Sequence, residues 1–180
     1  MLNTWFRTWR ISTFSGALLA AYFIPVWAII AFRIMVSPIH GLFERPNVSV
    51  ALFVSDHLQL AATATLRVAW LLALGRLTVA AFFAIFLLFT TRASIRRAGG
   101  SDEALAIAIA IGSVISFTSM VMASQVGEAA ALRLHATELL MLLGTAIVML
   151  CEQSARSESA AAETIRPSAI PAPGRSLTPP

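Results

Sequence analysis

Apolar residues along this chain of 180 residues are gathered into four blocks, each about as long as a helix that crosses a bilayer, roughly 20 residues. Backbone groups in lipid must be hydrogen-bonded within the spanning segment or within a closed barrel, and continuous apolar blocks of this length do not fit barrel strands. The pattern therefore predicts four transmembrane helices. They cover residues 11–32, 68–91, 104–123 and 132–151.

Composition supports this interpretation and excludes the main alternatives. Hydrophobic residues make up 58% of the chain and charged residues 12%, whereas an average soluble domain has roughly 45–50% and about 25%. An ordinary soluble domain and a disordered chain are both excluded. We predict an all-α, polytopic membrane protein, with a four-transmembrane-helix bundle over residues 1–151 that contacts the lipid bilayer.

The segments between and after the blocks are predicted less directly. In the connection 33–67, Asp56 and Gln59 have the spacing of a capping box, which predicts a helix that begins there and continues into the second span. Five of the eight prolines fall in the last 14 residues. Such a composition does not bury enough apolar surface to order itself, so residues 152–180 are predicted to be a disordered cytoplasmic tail.

Orientation follows from the basic residues, which are 13 arginines and no lysine. Cytoplasmic loops of membrane proteins carry an excess of basic residues. The cluster of Arg92, Arg96 and Arg97 after the second span therefore predicts that both termini are cytoplasmic and that the connection 33–67 is outside. Together with the alanine- and arginine-rich bias, this favours a bacterial inner membrane.

Two charges lie inside the predicted spans. Arg76 follows Trp70 by six residues in the second span, and Glu138 follows Leu132 by six residues in the fourth, so both reach a similar depth from the same side. Ionisable groups at such depth face the bundle interior and usually pair. We expect an intramembrane ion pair between Arg76 and Glu138, which either fixes helix register or forms a site for a proton or cation.

A second set of polar residues is expected at the outer face. His135 and Glu138 are three residues apart and share a helix face. A histidine–carboxylate set could hold a metal or haem, but the repeated Glu-x-x-His of di-iron bundles is absent. Haem between helices would need histidines on two spans, and only the fourth span contains one. No metal and no cofactor are therefore predicted. The possible polar cluster comprises His40, Asp56, His57, Glu128 and His135.

Small residues recur at every fourth position in the first and third spans, which lets helix backbones approach closely in a membrane. This pattern suits packing within the bundle or contact between copies of the chain. The residues are Ser12, Gly16, Ala20, Ala104, Ala108, Gly112 and Ser116.

Function is indicated mainly by what the chain lacks. It contains no nucleotide-binding, metalloprotease or hydrolase signature, and no dense basic patch for nucleic acid. The favoured hypothesis is a non-enzymatic accessory or partner-binding membrane subunit. The alternative is a small ion or solute transporter or channel, a homo-oligomer that uses the Arg76–Glu138 pair. An outer-face metal or haem redox protein is the third hypothesis.

Overall fold

A computed structural model describes residues 11–92 and 100–165, with side chains in the second range through residue 158. Every regular element in these ranges is an α-helix. Four of the helices, α1, α4, α5 and α6, are long and apolar enough to cross a membrane, which confirms the predicted all-α bundle of four membrane-spanning helices. The elements are α1 Ile11–Val36, α2 Pro38–Phe43, α3 Val48–Asp56, α4 Ala62–Thr91, α5 Gly100–Gln125 and α6 Ala129–Ile165.

The four long helices form a closed ring of contacts. Helix α1 packs against α4, α4 against α5, α5 against α6, and α6 returns to α1. The short helices α2 and α3, which we call the cap, pack on α1, α4 and α5. The cap lies at the end of the bundle where α6 begins, and we call this the cap end.

Some predictions lie outside the described residues. They concern the tail from 166 to 180 and two of the three arginines in the cluster used for orientation, Arg96 and Arg97.

The prediction that Asp56 begins a helix is wrong. Asp56 is the last residue of α3, and α4 begins only at Ala62, after a break in which Gln59 has a left-handed φ of 45°. The apolar run before Asp56 explains the difference. Val50, Ala51 and Val54 form a buried face that packs against the bundle, so this run folds as its own nine-residue helix.

The fourth long helix does not end at Cys151 as expected. Helix α6 has 37 residues and continues to Ile165, about 55 Å at 1.5 Å per residue. Residues 152–165 are therefore helical rather than part of a disordered tail. This segment is rich in Ala and Glu, which are good helix formers, and contains no proline. Its low hydropathy marks the end of the apolar span and not the end of the helix.

All seven small residues of the two predicted stripes are buried within the chain. A Cβ added at Gly16 would lie 2.7 Å from Leu105 Cδ2 and 2.9 Å from Phe86 Cζ. The glycine thus allows α1 to approach α4 and α5 closely. At Gly112 an added Cβ would lie 3.3 Å from Leu142 Cδ1, so α5 uses the same device against α6.

We expect Gly41→Ala to destabilise the protein by about 1–3 kcal/mol, the usual range for overpacking. A Cβ at Gly41 would lie 2.7 Å from Ile34 Cα and 2.8 Å from Ile34 N. These are backbone atoms of α1, which cannot move aside as a side chain can. The measurement is the unfolding free energy in detergent.

Gly144→Ala is the matched control, because a Cβ there meets nothing within 4 Å. This change should stabilise the helix by about 0.5–1 kcal/mol through the better helix propensity of alanine. Equal effects of the two substitutions would contradict the close approach of the cap to α1.

Candidate functional site

A layer of polar side chains separates two apolar clusters in the bundle. Along α1, Trp27 is the last buried residue of the first cluster, after Phe23, and Ala31 is the first of the second. Along α4, Arg76 lies between Ala73 of the second cluster and Val79 of the first. The first cluster fills the bundle, and the second joins the cap to α1 and α4. We call the separating set the polar layer; it consists of Trp27, Asn47, Arg76, Ser116, His135 and Glu138.

Arg76 projects from α4 into this layer and is only 1% exposed. Its Nη1 donates a hydrogen bond to Asn47 Oδ1, and Asn47 Nδ2 donates to the carbonyl of Gly41 at 2.7 Å. The guanidinium carbon lies 5.7 Å from the ring centroid of Trp27, within the range of a cation–π interaction. Arg76 Nε has no hydrogen-bond partner among the described residues, so the Trp27 ring and Asn47 carry much of the compensation for this buried charge.

Glu138 enters the layer from α6 and is 3% exposed. Trp27 Nε1 donates to Oε1 at 3.0 Å, and Ser116 Oγ of α5 donates to Oε2 at 3.4 Å. The Oε2 atom also lies 3.0 Å from His135 Nδ1, one turn earlier on α6. Each carboxylate oxygen therefore has at least one partner, as burial of a carboxylate requires.

Arg76 and Glu138 reach the same layer but are linked indirectly. No salt bridge joins them in the described part of the chain; Trp27 lies between them, with its ring against the guanidinium and its Nε1 on the carboxylate. The opposite charges still attract each other, and a low-dielectric interior strengthens such attraction. The expected direct ion pair is replaced by an arginine–tryptophan–carboxylate arrangement.

The polar layer also holds the cap. His135 Nε2 lies 3.1 Å from the carbonyl oxygen of Pro46, and Pro46 precedes the Asn47 that Arg76 binds. Two successive residues between α2 and α3 are thus bound by two different helices, by α6 through His135 and by α4 through Arg76. Every member of this arrangement is hydrogen-bonded to a group on another element, which favours one position of the cap.

The polar cluster expected at the outer face does not assemble. Of its five residues only His135 enters the polar layer. His40 contacts Ser37 at 3.3 Å, and the His57 ring stacks on Phe53. Both histidines and Asp56 are exposed, while Glu128 lines a surface cavity described below. Among the described residues, no group of three or more His, Cys, Asp or Glu side chains is placed to hold a metal ion.

Sequence reasoning missed Trp27 and Asn47. Both are uncharged, and each has a common alternative role, Trp27 in an interfacial aromatic belt and Asn47 in a turn. The one signal in the sequence for Trp27 is its distance, in residues, from the end of its apolar block. Trp27 precedes Arg33, at the end of its apolar block, by six residues, and Arg76 and Glu138 lie equally deep in their own blocks.

A smaller set of polar contacts lies at the opposite end of the bundle. Glu152 of α6 accepts hydrogen bonds from the backbone N and the Oγ of Ser12, at 3.0 and 2.6 Å, near the start of α1. Arg156 lies 3.7 Å from Asp102 of α5. The extended part of α6 is therefore attached to the first turns of α1 and α5.

Trp27→Phe is expected to destabilise the protein by about 1–3 kcal/mol, because it keeps an aromatic ring but leaves the buried Glu138 without its Oε1 donor. Trp70→Phe is the matched control, since Trp70 is 38% exposed on the same bundle; it should change the unfolding free energy by less than about 0.5 kcal/mol. Chemical unfolding in detergent measures both. Similar values for the two variants would contradict the bridging role of Trp27.

Comparison with protein-family models, curated proteins and solved structures finds no match to this chain. The polar layer and the surfaces around it are therefore interpreted from their own geometry and chemistry.

Proposed function

We propose that the protein is a non-catalytic membrane subunit that binds a transmembrane helix of a partner protein in a groove at its cap. The observation that carries this proposal is an apolar groove of about 460 Å³ between α2, α3 and the first turns of α4. Its walls include Leu42, Phe43, Leu60 and Leu66.

The chemistry of the groove favours a helix as its occupant. Three of its lining residues are alanines, Ala51, Ala62 and Ala69, and three carry hydroxyl groups. Helices associate in membranes where small residues let backbones approach and where Ser or Thr side chains donate hydrogen bonds across the contact. A lipid tail would gain nothing from these hydroxyl groups, which are those of Ser55, Thr63 and Thr65. The Thr65 hydroxyl donates to the carbonyl of Ala61 at 3.3 Å, so Ser55 and Thr63 are the donors offered to a partner.

The polar layer supports the proposal because it holds one wall of the groove in place. Asn47 and Pro46, which connect α2 to α3, are bound by Arg76 and His135. A surface that is already ordered loses less conformational entropy when a partner binds. The fixed cap offsets the cost of burying Arg76.

The proposed orientation places the cap outside and both termini in the cytoplasm of a bacterial inner membrane. Its support is the arginine bias of the segments predicted to be inside. Arg92 follows α4 directly, and Arg156 lies on the polar extension of α6. The groove then faces the outer leaflet.

Cysteine labelling tests this orientation in a Cys151→Ser chain, which removes the single native thiol. A membrane-impermeant thiol reagent should label Asp56→Cys in intact cells, because Asp56 is exposed at the end of α3. Ser154→Cys, exposed on the extension of α6, should react only after the membrane is permeabilised. The reverse pattern would contradict the orientation.

Photo-crosslinking tests the groove itself. A photoreactive phenylalanine analogue at Thr63, inside the groove, should give one discrete protein adduct in native membranes. The same analogue at Leu71, on α4 but outside the groove and lipid-exposed, should give no such adduct. Thr63→Trp, which fills the groove, should reduce co-purification of the adduct partner at least about tenfold, whereas Leu71→Trp should leave it unchanged.

Two outcomes would overturn the proposal. Identical adducts from both positions would show that the groove binds no particular helix. An adduct of twice the mass of this chain would identify a second copy as the occupant instead of a different protein.

A further inference from the structure

The imidazole of His135 lies between two hydrogen-bond acceptors. Its Nδ1 is 3.0 Å from Glu138 Oε2, and its Nε2 is 3.1 Å from the carbonyl oxygen of Pro46. A carbonyl and an ionised carboxylate only accept hydrogen bonds, while a neutral imidazole has a single N–H to donate. A neutral His135 beside an ionised Glu138 can therefore make only one of these two hydrogen bonds. Both can form only when the pair holds one additional proton.

We propose that His135 and Glu138 form a proton-binding site inside the bundle, loaded from the cap end. In the loaded pair, one proton is on Nε2 and is donated to Pro46, and a second is on Nδ1 and is donated to Glu138 Oε2. On release, one proton passes to water. The pair is then a neutral imidazole beside a carboxylate, and one of the two hydrogen bonds of His135 is lost. This inference does not depend on partner binding at the groove.

The loaded and released states of the pair differ in net charge and in the number of hydrogen bonds, because of the groups that face the pair. Arg76 faces it from α4, Tyr22 from α1 and Ser116 from α5. With Arg76 charged, the loaded layer has a net charge of +1 and keeps every hydrogen bond. The released layer is neutral overall but has lost a hydrogen bond. Each state therefore gives up something that burial makes expensive, and neither is favoured by every interaction in the layer.

A surface cavity supplies the route for the proton. It has a volume of about 490 Å³ and is lined by residues from the connection and from the start of α6. Pro46, which accepts the Nε2–H of His135, is one of them, and Leu134 precedes His135 in the chain. Arg45 and Glu128 also line the cavity, so charged groups lie at the cap end around Pro46, whose carbonyl contacts His135.

The experiment is nuclear magnetic resonance of the full chain in lipid nanodiscs with 15N-labelled histidine. We expect both ring nitrogens of His135 to be protonated at about pH 5 and one proton to leave as the pH rises to about 9. The exposed His40 and His57 are internal references, assigned from His40→Gln and His57→Gln. A His135 that keeps a single neutral tautomer across this range would overturn the proposal, and this measurement on the unmodified chain needs no variant to fold.

Glu138→Gln provides a sharper outcome. The new amide can donate N–H to Nδ1, so a neutral His135 with its proton on Nε2 satisfies both of its contacts. The variant should lose the titration of His135 while His40 and His57 are unchanged. An unchanged titration of His135 in this variant would overturn the role of the pair.

The route is tested by blocking the cavity. In the Cys151→Ser chain, Ala130→Cys is placed on the cavity wall and modified with a bulky thiol reagent. This should slow proton exchange at His135 at least about tenfold, whereas modified Ser154→Cys on the α6 extension should not. Equal rates for the two modified chains would overturn entry from the cap end.

Discussion

The structure depends on the need to compensate the charge of Arg76 away from water. An arginine placed centrally in a membrane helix costs at least about 2.5–3.5 kcal/mol when it has no partners. The elements around Arg76 are arranged to offset this cost. Asn47 comes from the connection between the short helices, and the ring of Trp27 comes from α1. Because one partner belongs to the connection, compensating the arginine also fixes the position of the cap.

Helix α6 also binds the segment between α2 and α3, through His135. Glu138 accepts from Trp27, and His135 contacts Pro46, so the network runs from α4 through α1 to α6 and back to the connection. A shift of any one helix by a turn would separate several of these contacts at once. Apolar packing in lipid gives little preference between such registers, since lipid tails are as apolar as the side chains they replace. The polar layer supplies that preference.

The four long helices could be predicted because their signal is local and repeated over about 20 residues. The depth of Arg76 and Glu138 could also be counted along each helix. The identity of the group between them could not, because Trp27 is selected by the packing of α1 against α4 and α6. Asp56 and the end of α6 were misjudged for a related reason. The capping pattern at Asp56 carries no information about the buried apolar face that precedes it. Hydropathy indicates where α6 leaves the membrane and not where the helix ends.

The two proposals concern the same short segment, Pro46 and Asn47 between α2 and α3. One of its bonds, from Arg76 to Asn47, persists whatever the proton content of the layer, because arginine stays charged. The other, from His135 to Pro46, is made in the loaded pair, whereas after release the single remaining N–H of the imidazole can serve only Pro46 or Glu138. A ligand that binds the cap more tightly when the His135–Pro46 bond is made would favour the loaded pair, and by linkage loading would raise the affinity for that ligand by the same factor. The persistent bond limits this coupling, since the arginine holds the cap in both states.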